Sequence, residues 1–149
     1  MACFNLAVIK IIQVGKSRDF VEQEQRYLKM LGQFAKVEVV TVGEQKASKT
    51  IEEEGKLILR AVGSAALVIA LDEKGKEMDS LQFGRFLGEN PKVTFVIGGA
   101  FGLSDGVRAR ADAVFSLSLM TFTHQMVRLF LLEQIYRGFC IIKGKEYHH

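Results

Sequence analysis

The sequence predicts an α/β protein, with a mostly parallel sheet flanked by helices. Two observations carry that prediction. Short runs rich in Val, Ile, Leu and Phe alternate with longer segments of helical periodicity along the whole chain. One of those runs, "AALVIAL" (Ala65–Leu71), is apolar throughout, as expected of a strand covered by helices on both faces.

The elements follow in order. Leu6–Val14 is β-branched and reads as the first strand. Ser17 stands where it would cap a helix that runs to Leu31 and stops at Gly32, with Phe20, Tyr27, Leu28 and Leu31 on one face. Phe34–Val42 alternates into a second strand, and the polar stretch "GEQKASK" follows. Thr50 and Glu53 have the spacing of a capping box, and Glu52–Glu54 suit the positive end of a helix that ends at Gly63. Ala65–Leu71 is the third strand. Asp79 or Ser80 opens a short helix reaching Leu87. Val93–Ile97 is the fourth strand, just after the single proline, Pro91. A short helix over about Ser104–Ala111, a fifth strand at Ala113–Ser118, a long apolar helix over about His124–Phe139 and a polar tail complete the chain.

The 149 residues fit a single domain spanning 1–149. Apolar residues at 48% and charged residues at 25% are ordinary for a globular protein, and no run is apolar enough to span a membrane. The apolar N-terminus lacks the basic start and cleavage site of a signal peptide, so a cytoplasmic location is expected. Cys3 and Cys140 form no C-x-x-C pair and are expected as reduced thiols. The net charge of +3 permits an RNA partner without demanding one. The basic part is the C-terminal third, with Arg108, Arg110, Arg128, Arg137, Lys143 and Lys145.

The stretch "VTFVIGGAFGLSDG" (Val93–Gly106) runs from a strand through a glycine turn into a helix. A dinucleotide fold would need G-x-G-x-x-G after the first strand and an acid about 20 residues on. Here the pattern is G-G-x-x-G after the fourth strand, with no acid at 115–122. A P-loop needs Gly-Lys-Ser/Thr, which is absent. What survives is the general rule that ligands bind outside the carboxyl ends of strands in open α/β sheets. Three such ends are Leu71, Gly98 and Ser118. "LSLMTF" (Leu117–Phe122) carries hydroxyls but no charge, which suits a flat apolar ring such as adenine and does not suit a polyphosphate. On the residues alone, a buried strand running into a buried loop remains an equal reading.

The last helix carries His124 and Arg128 on one face, and Glu133 with Arg137 at ion-pair spacing. So apolar a helix is expected in the core or at a dimer interface. Tyr147, His148 and His149 close the chain. No histidine or cysteine spacing suggests a metal, and no Ser-His-Asp pattern or G-x-S-x-G elbow is present.

Together, "FVIGGAFGL", "LSLMTFTHQMVRLFLLEQIYRGF" and "KGKEYHH" resemble the RlmH family of SPOUT-class methyltransferases, along nearly the whole chain. The resemblance implies an α/β knot with a deep C-terminal trefoil, a rare exception to unknotted topology. It further implies a homodimer that uses S-adenosylmethionine, without metal, to methylate N3 of a pseudouridine in large-subunit ribosomal RNA within the ribosome. Carried onto this sequence, the cofactor cradle is Leu71, Gly98, Leu117, Ser118, Leu119, Met120, Thr121 and Phe122. The catalytic candidates are His124, Arg128, Tyr147 and His148, and Glu133 and Tyr136–Arg137 also match family positions. Two residues depart from the family pattern. Thr123 stands where the family often has Pro, and is expected to cap the helix instead. His149 stands where the family commonly has a Lys or Arg. Competing readings are a ribosome-binding assembly factor without a cofactor and a small-molecule enzyme on the same fold. Methyl-donor binding separates the first from a methyltransferase, and salt dependence separates the second.

Overall fold

A computed structural model describes residues 6–43 and 50–149. Cys3 and most of the polar stretch after the second strand lie outside the described residues. In chain order the elements are β1 (Ala7–Val14), α1 (Val21–Leu31), β2 (Ala35–Val42), α2 (Ile51–Val62) and β3 (Val68–Glu77). Then come α3 (Ser80–Glu89), β4 (Lys92–Ile97), α4 (Asp105–Arg110), β5 (Ala113–Ser116) and α5 (His124–Lys143). The strands form one sheet in the order β2-β1-β4-β3-β5, with every pairing parallel.

Period-two alternation divides the apolar residues between two cores. Ile9 and Ile11 of β1, Ile69 and Leu71 of β3, and Phe95 and Ile97 of β4 face α1, α3 and α5, where Leu31, Leu87, Leu131, Ile135 and Phe139 meet them. Ile12 and Val14, Val68 and Ala70, and Val96 face the opposite way onto Ile58 and Val62 of α2 and Val107 of α4. The central strands are therefore sandwiched between helices, as the apolar run of the third strand requires.

Caps explain the helix starts. Thr50 and Glu53 make the expected capping box, with Glu53 N donating to Thr50 Oγ1 at 3.1 Å and Thr50 N to Glu53 Oε2 at 3.2 Å. Asp79 and Gln82 make a second box at the start of α3. Ser104 caps α4, and Thr123 caps α5 through Met126 N at 3.3 Å. Ser17 does not cap α1. Its hydroxyl donates instead to Glu24 Oε1 at 3.1 Å, and the helix begins only after Phe20, without a side-chain cap.

Three boundaries differ from expectation. β3 starts at Val68, bulges at Asp72–Gly75, and rejoins β5 through Lys76 and Glu77. Gly75 permits the return, because a Cβ there would lie 2.6 Å from the backbone oxygen of Val114. β5 stops at Ser116, where the Ser116 hydroxyl donates to Ser118 O at 2.7 Å and turns the chain out of the sheet. α5 runs a turn further, to Lys143, and ends on left-handed Gly144. The segment 117–123 returns from the β5 edge to the C-terminal end of β1, where Gln125 binds the backbone of Lys16 and Arg18.

Candidate active site

The β3 bulge with Leu71 before it, the carboxyl end of β4, the 98–104 turn, the 117–123 segment, the start of α5 and the β1–α1 loop surround a cleft of about 760 Å³. That size is ordinary for a site holding a small molecule. Leu71, Gly98, Leu117, Ser118, Met120, Thr121 and Phe122 all line it. Leu119, the remaining member of the expected cradle, points away and is 75% exposed.

Gly98 is buried beneath the turn. A Cβ there would lie 2.7 Å from Gly102 O and 2.9 Å from Leu103 Cδ2. The turn folds back on itself through Gly102 N donating to Gly99 O at 3.1 Å, and Gly102 adopts φ +89°. The glycines thus bring peptide groups to the cleft wall at a closeness any side chain would block. Opposite, 117–123 is a surface segment, not the buried loop that was the alternative reading. Met120 N donates to Ser118 Oγ at 3.0 Å, and the Phe122 ring stands edge-on to Phe130 at 5.1 Å. Apart from Leu119, its apolar side chains are held at the surface around the cleft.

His124 is the first residue of α5 and lines the cleft. Burial pulls its imidazole below the usual range; nearby Arg128 and Arg18 lower it further, and Asp19 opposes them. The ring is therefore neutral at pH 7 and able to accept a proton.

Arg128, one turn on, does not reach the cleft. It is 1% exposed and donates through Nη2 to Val14 O at the end of β1. Burial lowers its pKa, and Glu24 is the main opposing influence. Glu24 is itself pushed up by burial, against the Ser17 hydrogen bond and the Arg128 charge. Arg128 is thus placed to hold α5 against β1.

Tyr147 and His148 lie elsewhere again. Tyr147 Oη donates to Glu133 Oε1 at 3.2 Å, and the Arg137 guanidinium stacks over the Tyr147 ring at 4.8 Å. Arg137 also donates to Glu133 Oε1 at 2.6 Å and to His148 Nδ1 at 3.1 Å. Burial, followed by the hydrogen bond with Tyr27 and the charge of Glu133, raises the Tyr147 hydroxyl far above its ordinary value, so it stays protonated. His124 and Arg137 are separated by about 20 Å of helix, at roughly 1.5 Å per residue. The four catalytic candidates therefore fall in three places: His124 on the cleft, Arg128 beneath it, and Tyr147 with His148 at the far end of α5.

The structure adds residues that the sequence reading passed over. Arg18 and Asp19 line the cleft beside His124. Arg108 reaches from α4 to Asp72 in the β3 bulge at 2.5 Å, closing another edge. Gln125, 3% exposed, accepts from Arg18 N at 2.9 Å and donates to Lys16 O at 3.0 Å. A glutamine on so apolar a helix was the available signal. Among the described residues, no group of histidine, cysteine, aspartate or glutamate is arranged to hold a metal, and no helix is long and apolar enough to cross a membrane.

Comparison with known proteins agrees with this arrangement. A solved structure, a probable methylase family protein from Haemophilus influenzae, shares the fold at a TM-score of 0.60, with 14% identity over 95% of this chain and 70% of that one. TrmJ from Zymomonas mobilis aligns at a TM-score of 0.57, with 12% identity over 91% of this chain and 70% of that one. A curated relative from Geotalea daltonii, named ribosomal RNA large subunit methyltransferase H, is 41% identical over 95% of this chain and 99% of its own. Another of that name, from Syntrophotalea carbinolica, is 43% identical over 100% of this chain and 97% of its own. The family described as predicted SPOUT methyltransferase matches residues 8–148. By the family match over residues 8–148 and these relatives at 41% and 43% identity, the chain belongs to the SPOUT methyltransferase family, among the ribosomal RNA large subunit methyltransferase H proteins.

Proposed function

We propose that this methyltransferase uses S-adenosylmethionine to methylate N3 of a pseudouridine in large-subunit ribosomal RNA. One observation carries the reading: the cleft pairs a close-approach glycine wall with an uncharged, apolar wall, and a neutral histidine stands at its edge. The residues fit the donor. The Gly98 cradle, which a Cβ would fill, and the 117–122 wall suit the adenine ring. When bound, S-adenosylmethionine supplies a methyl group already activated for transfer.

The chain's own work is positioning and proton management. N3 of the base carries a proton that must leave before the nitrogen becomes a nucleophile. His124 accepts it, being neutral and on the cleft. His148 is the weaker choice, because its Nδ1 already accepts from Arg137. Arg128 fixes the start of α5 and depresses the His124 pKa, keeping the imidazole free to act.

A homodimer completes this reading. Phe101, Leu119 and Met120 are 77%, 75% and 73% exposed, and Met126 and Phe130 of α5 are exposed as well, with Phe130 against Phe122 of the same segment as Leu119 and Met120. A second copy covering this apolar rim would bring its own tail to the cleft, giving Tyr147 and His148 a role that their distance within one protomer denies them. The return of 117–124 from the sheet edge to the end of β1 supports the trefoil crossing that the resemblance implies. A single domain acting on ribosomes in the cytoplasm accords with these features.

Mass spectrometry of ribosomal RNA from cells lacking the protein tests the function. Loss of one methylpseudouridine, restored by the intact gene, is the expected result; an unchanged spectrum overturns it. Titration calorimetry with S-adenosylmethionine tests the cofactor, and absence of binding would favour an assembly factor.

A further inference from the structure

We infer that Arg18 is a binding residue for a phosphate of the RNA substrate, and that Gln125 is the positioning residue that aims it. The inference rests on the methyltransferase reading and adds to it a contact that brings the RNA to the cleft.

Three observations point there. First, the loop carrying Arg18 is clamped. Gln125 Oε1 accepts from Arg18 N at 2.9 Å and stands 3.5 Å from Asp19 N, while Gln125 Nε2 donates to Lys16 O at 3.0 Å. Arg128 secures the chain just before it, at Val14 O. A buried amide that satisfies backbone groups on both sides of Ser17 fixes the loop more firmly than a surface turn requires. Second, the clamp serves the cleft. Gln125 is the neighbour of His124 on α5, and the loop it holds places Arg18 and Asp19 on the cleft lining. Third, the Arg18 side chain is exposed and, among the described residues, has neither an ion pair nor a hydrogen bond of its own. Arg108, also on the cleft, is by contrast committed to Asp72 at 2.5 Å. A rigidly held loop that presents an uncommitted guanidinium beside the proton acceptor suits an oxyanion ligand.

That oxyanion has two possible sources: a phosphate of the RNA, or the carboxylate of the methyl donor. Arg18 is exposed to solvent whereas Gly98 is buried, and an exposed guanidinium favours the phosphate, which belongs to the large ligand arriving from outside. A phosphate contact adds a salt-sensitive increment to RNA affinity and nothing to donor affinity.

The test compares the unaltered chain with Arg18→Ala, Gln125→Ala and the double variant. The substrate is ribosomes from cells lacking the protein, and methyl transfer from labelled S-adenosylmethionine is followed across a range of salt. Arg18→Ala is expected to raise KM for ribosomes roughly tenfold, the scale of one lost charge-assisted hydrogen bond. The log–log salt slope should fall by about one, with kcat and donor affinity by calorimetry little changed. Gln125→Ala should raise KM in the same way. Adding Arg18→Ala to it should then cost much less than tenfold, because an arginine on a released loop is no longer aimed. Thermal unfolding checks that each variant folds. A weakened donor affinity with unchanged KM for ribosomes assigns Arg18 to the carboxylate and overturns the inference. So does an unchanged salt slope, or full additivity in the double variant. Absence of methylation by the unaltered chain would overturn the methyltransferase reading, and this inference with it.

Discussion

Gly98→Ala puts one methyl group where the fold has left no room. Its Cβ would meet Gly102 O at 2.7 Å, whereas ordinary van der Waals contact begins at 3.4 Å, so about 0.7 Å must be found. Leu103 Cδ2, at 2.9 Å, is the end of a side chain that is itself buried in the core. Gly102 O is backbone and cannot move alone. The residue is tied on its N-terminal side by Gly102 N donating to Gly99 O at 3.1 Å, and the chain beyond it is pinned by buried Leu103 and by the Ser104 cap of α4. The turn as a whole must therefore shift outward. Overpacking of this kind costs about 1–3 kcal/mol, which corresponds to a Tm lower by roughly 2–12 °C for a chain of this size. The larger effect falls on the ligand. The shifted peptides form the cleft wall, and if the proposed donor binds there, a single hydrogen bond left unmade should weaken S-adenosylmethionine binding by about 1–3 kcal/mol, or roughly 5- to 150-fold. Calorimetry with S-adenosylmethionine and thermal unfolding measure the two effects. Gly106→Ala is the control: its Cβ meets only ordinary contacts at 3.7 and 3.9 Å and lies within α4. It should leave donor affinity unchanged and stabilise the helix by up to about 1 kcal/mol. Native donor affinity with an unshifted Tm in Gly98→Ala would show that the turn is not the wall of the donor site.

Other expectations concern the proton acceptor, the tail and the α2 cap. Because the His124 pKa lies below 6.5, kcat/KM should be flat through neutral pH and fall on acidification with a midpoint below 6.5, as the imidazole takes up a proton. His124→Asn should lower kcat by roughly 10²- to 10⁴-fold and remove that acid limb, and an unchanged limb would assign the base elsewhere. Arg18→Ala removes a cation that opposes protonation of His124, so the limb should move to higher pH; a shift to lower pH would contradict the placement of Arg18 beside the ring. Glu133→Gln removes the charge that gathers Arg137 and Tyr147, and should cost about 1–2 kcal/mol by urea denaturation, an unchanged midpoint counting against the cluster. Thr50→Ala breaks the capping box of α2 at about 1 kcal/mol, and donor binding should not change.

Most of the fold was legible because local chemistry and tertiary packing agree over most of the chain. Thr50 with Glu53 forms the expected box, and Ile97 ends β4 where the glycines begin. Legibility failed where a long-range contact overrode a local signal. Ser17 is a good cap residue by type. Gln125, over a hundred positions away, captures the backbone on either side of it, and Glu24 takes its hydroxyl. The return of β3 through Lys76 and Glu77 was hidden for a similar reason: "DEKGKE" has no apolar alternation, and only the closeness of Gly75 to the β5 backbone lets it rejoin the sheet.

The same cause divides the candidate site into what sequence shows and what it conceals. The residues forming the glycine wall and the wall facing it are contiguous in two short segments, so their uncharged, glycine-rich character is visible in the sequence. The residues that would bring the RNA are dispersed. Arg18 stands after the first strand, His124 begins the last helix, and Tyr147 closes the chain. α5 connects them, since its first turn holds Arg18 through Gln125 and its later turns hold Tyr147 through Glu133 and Arg137. A helix with apolar residues on nearly every side reads in sequence as core or interface. Here it also sets the positions of both sets of polar groups, about 20 Å apart along its axis. That separation is why one protomer presents His124 but not Tyr147 to its own cleft, and why the methyltransferase reading calls for two copies of the chain.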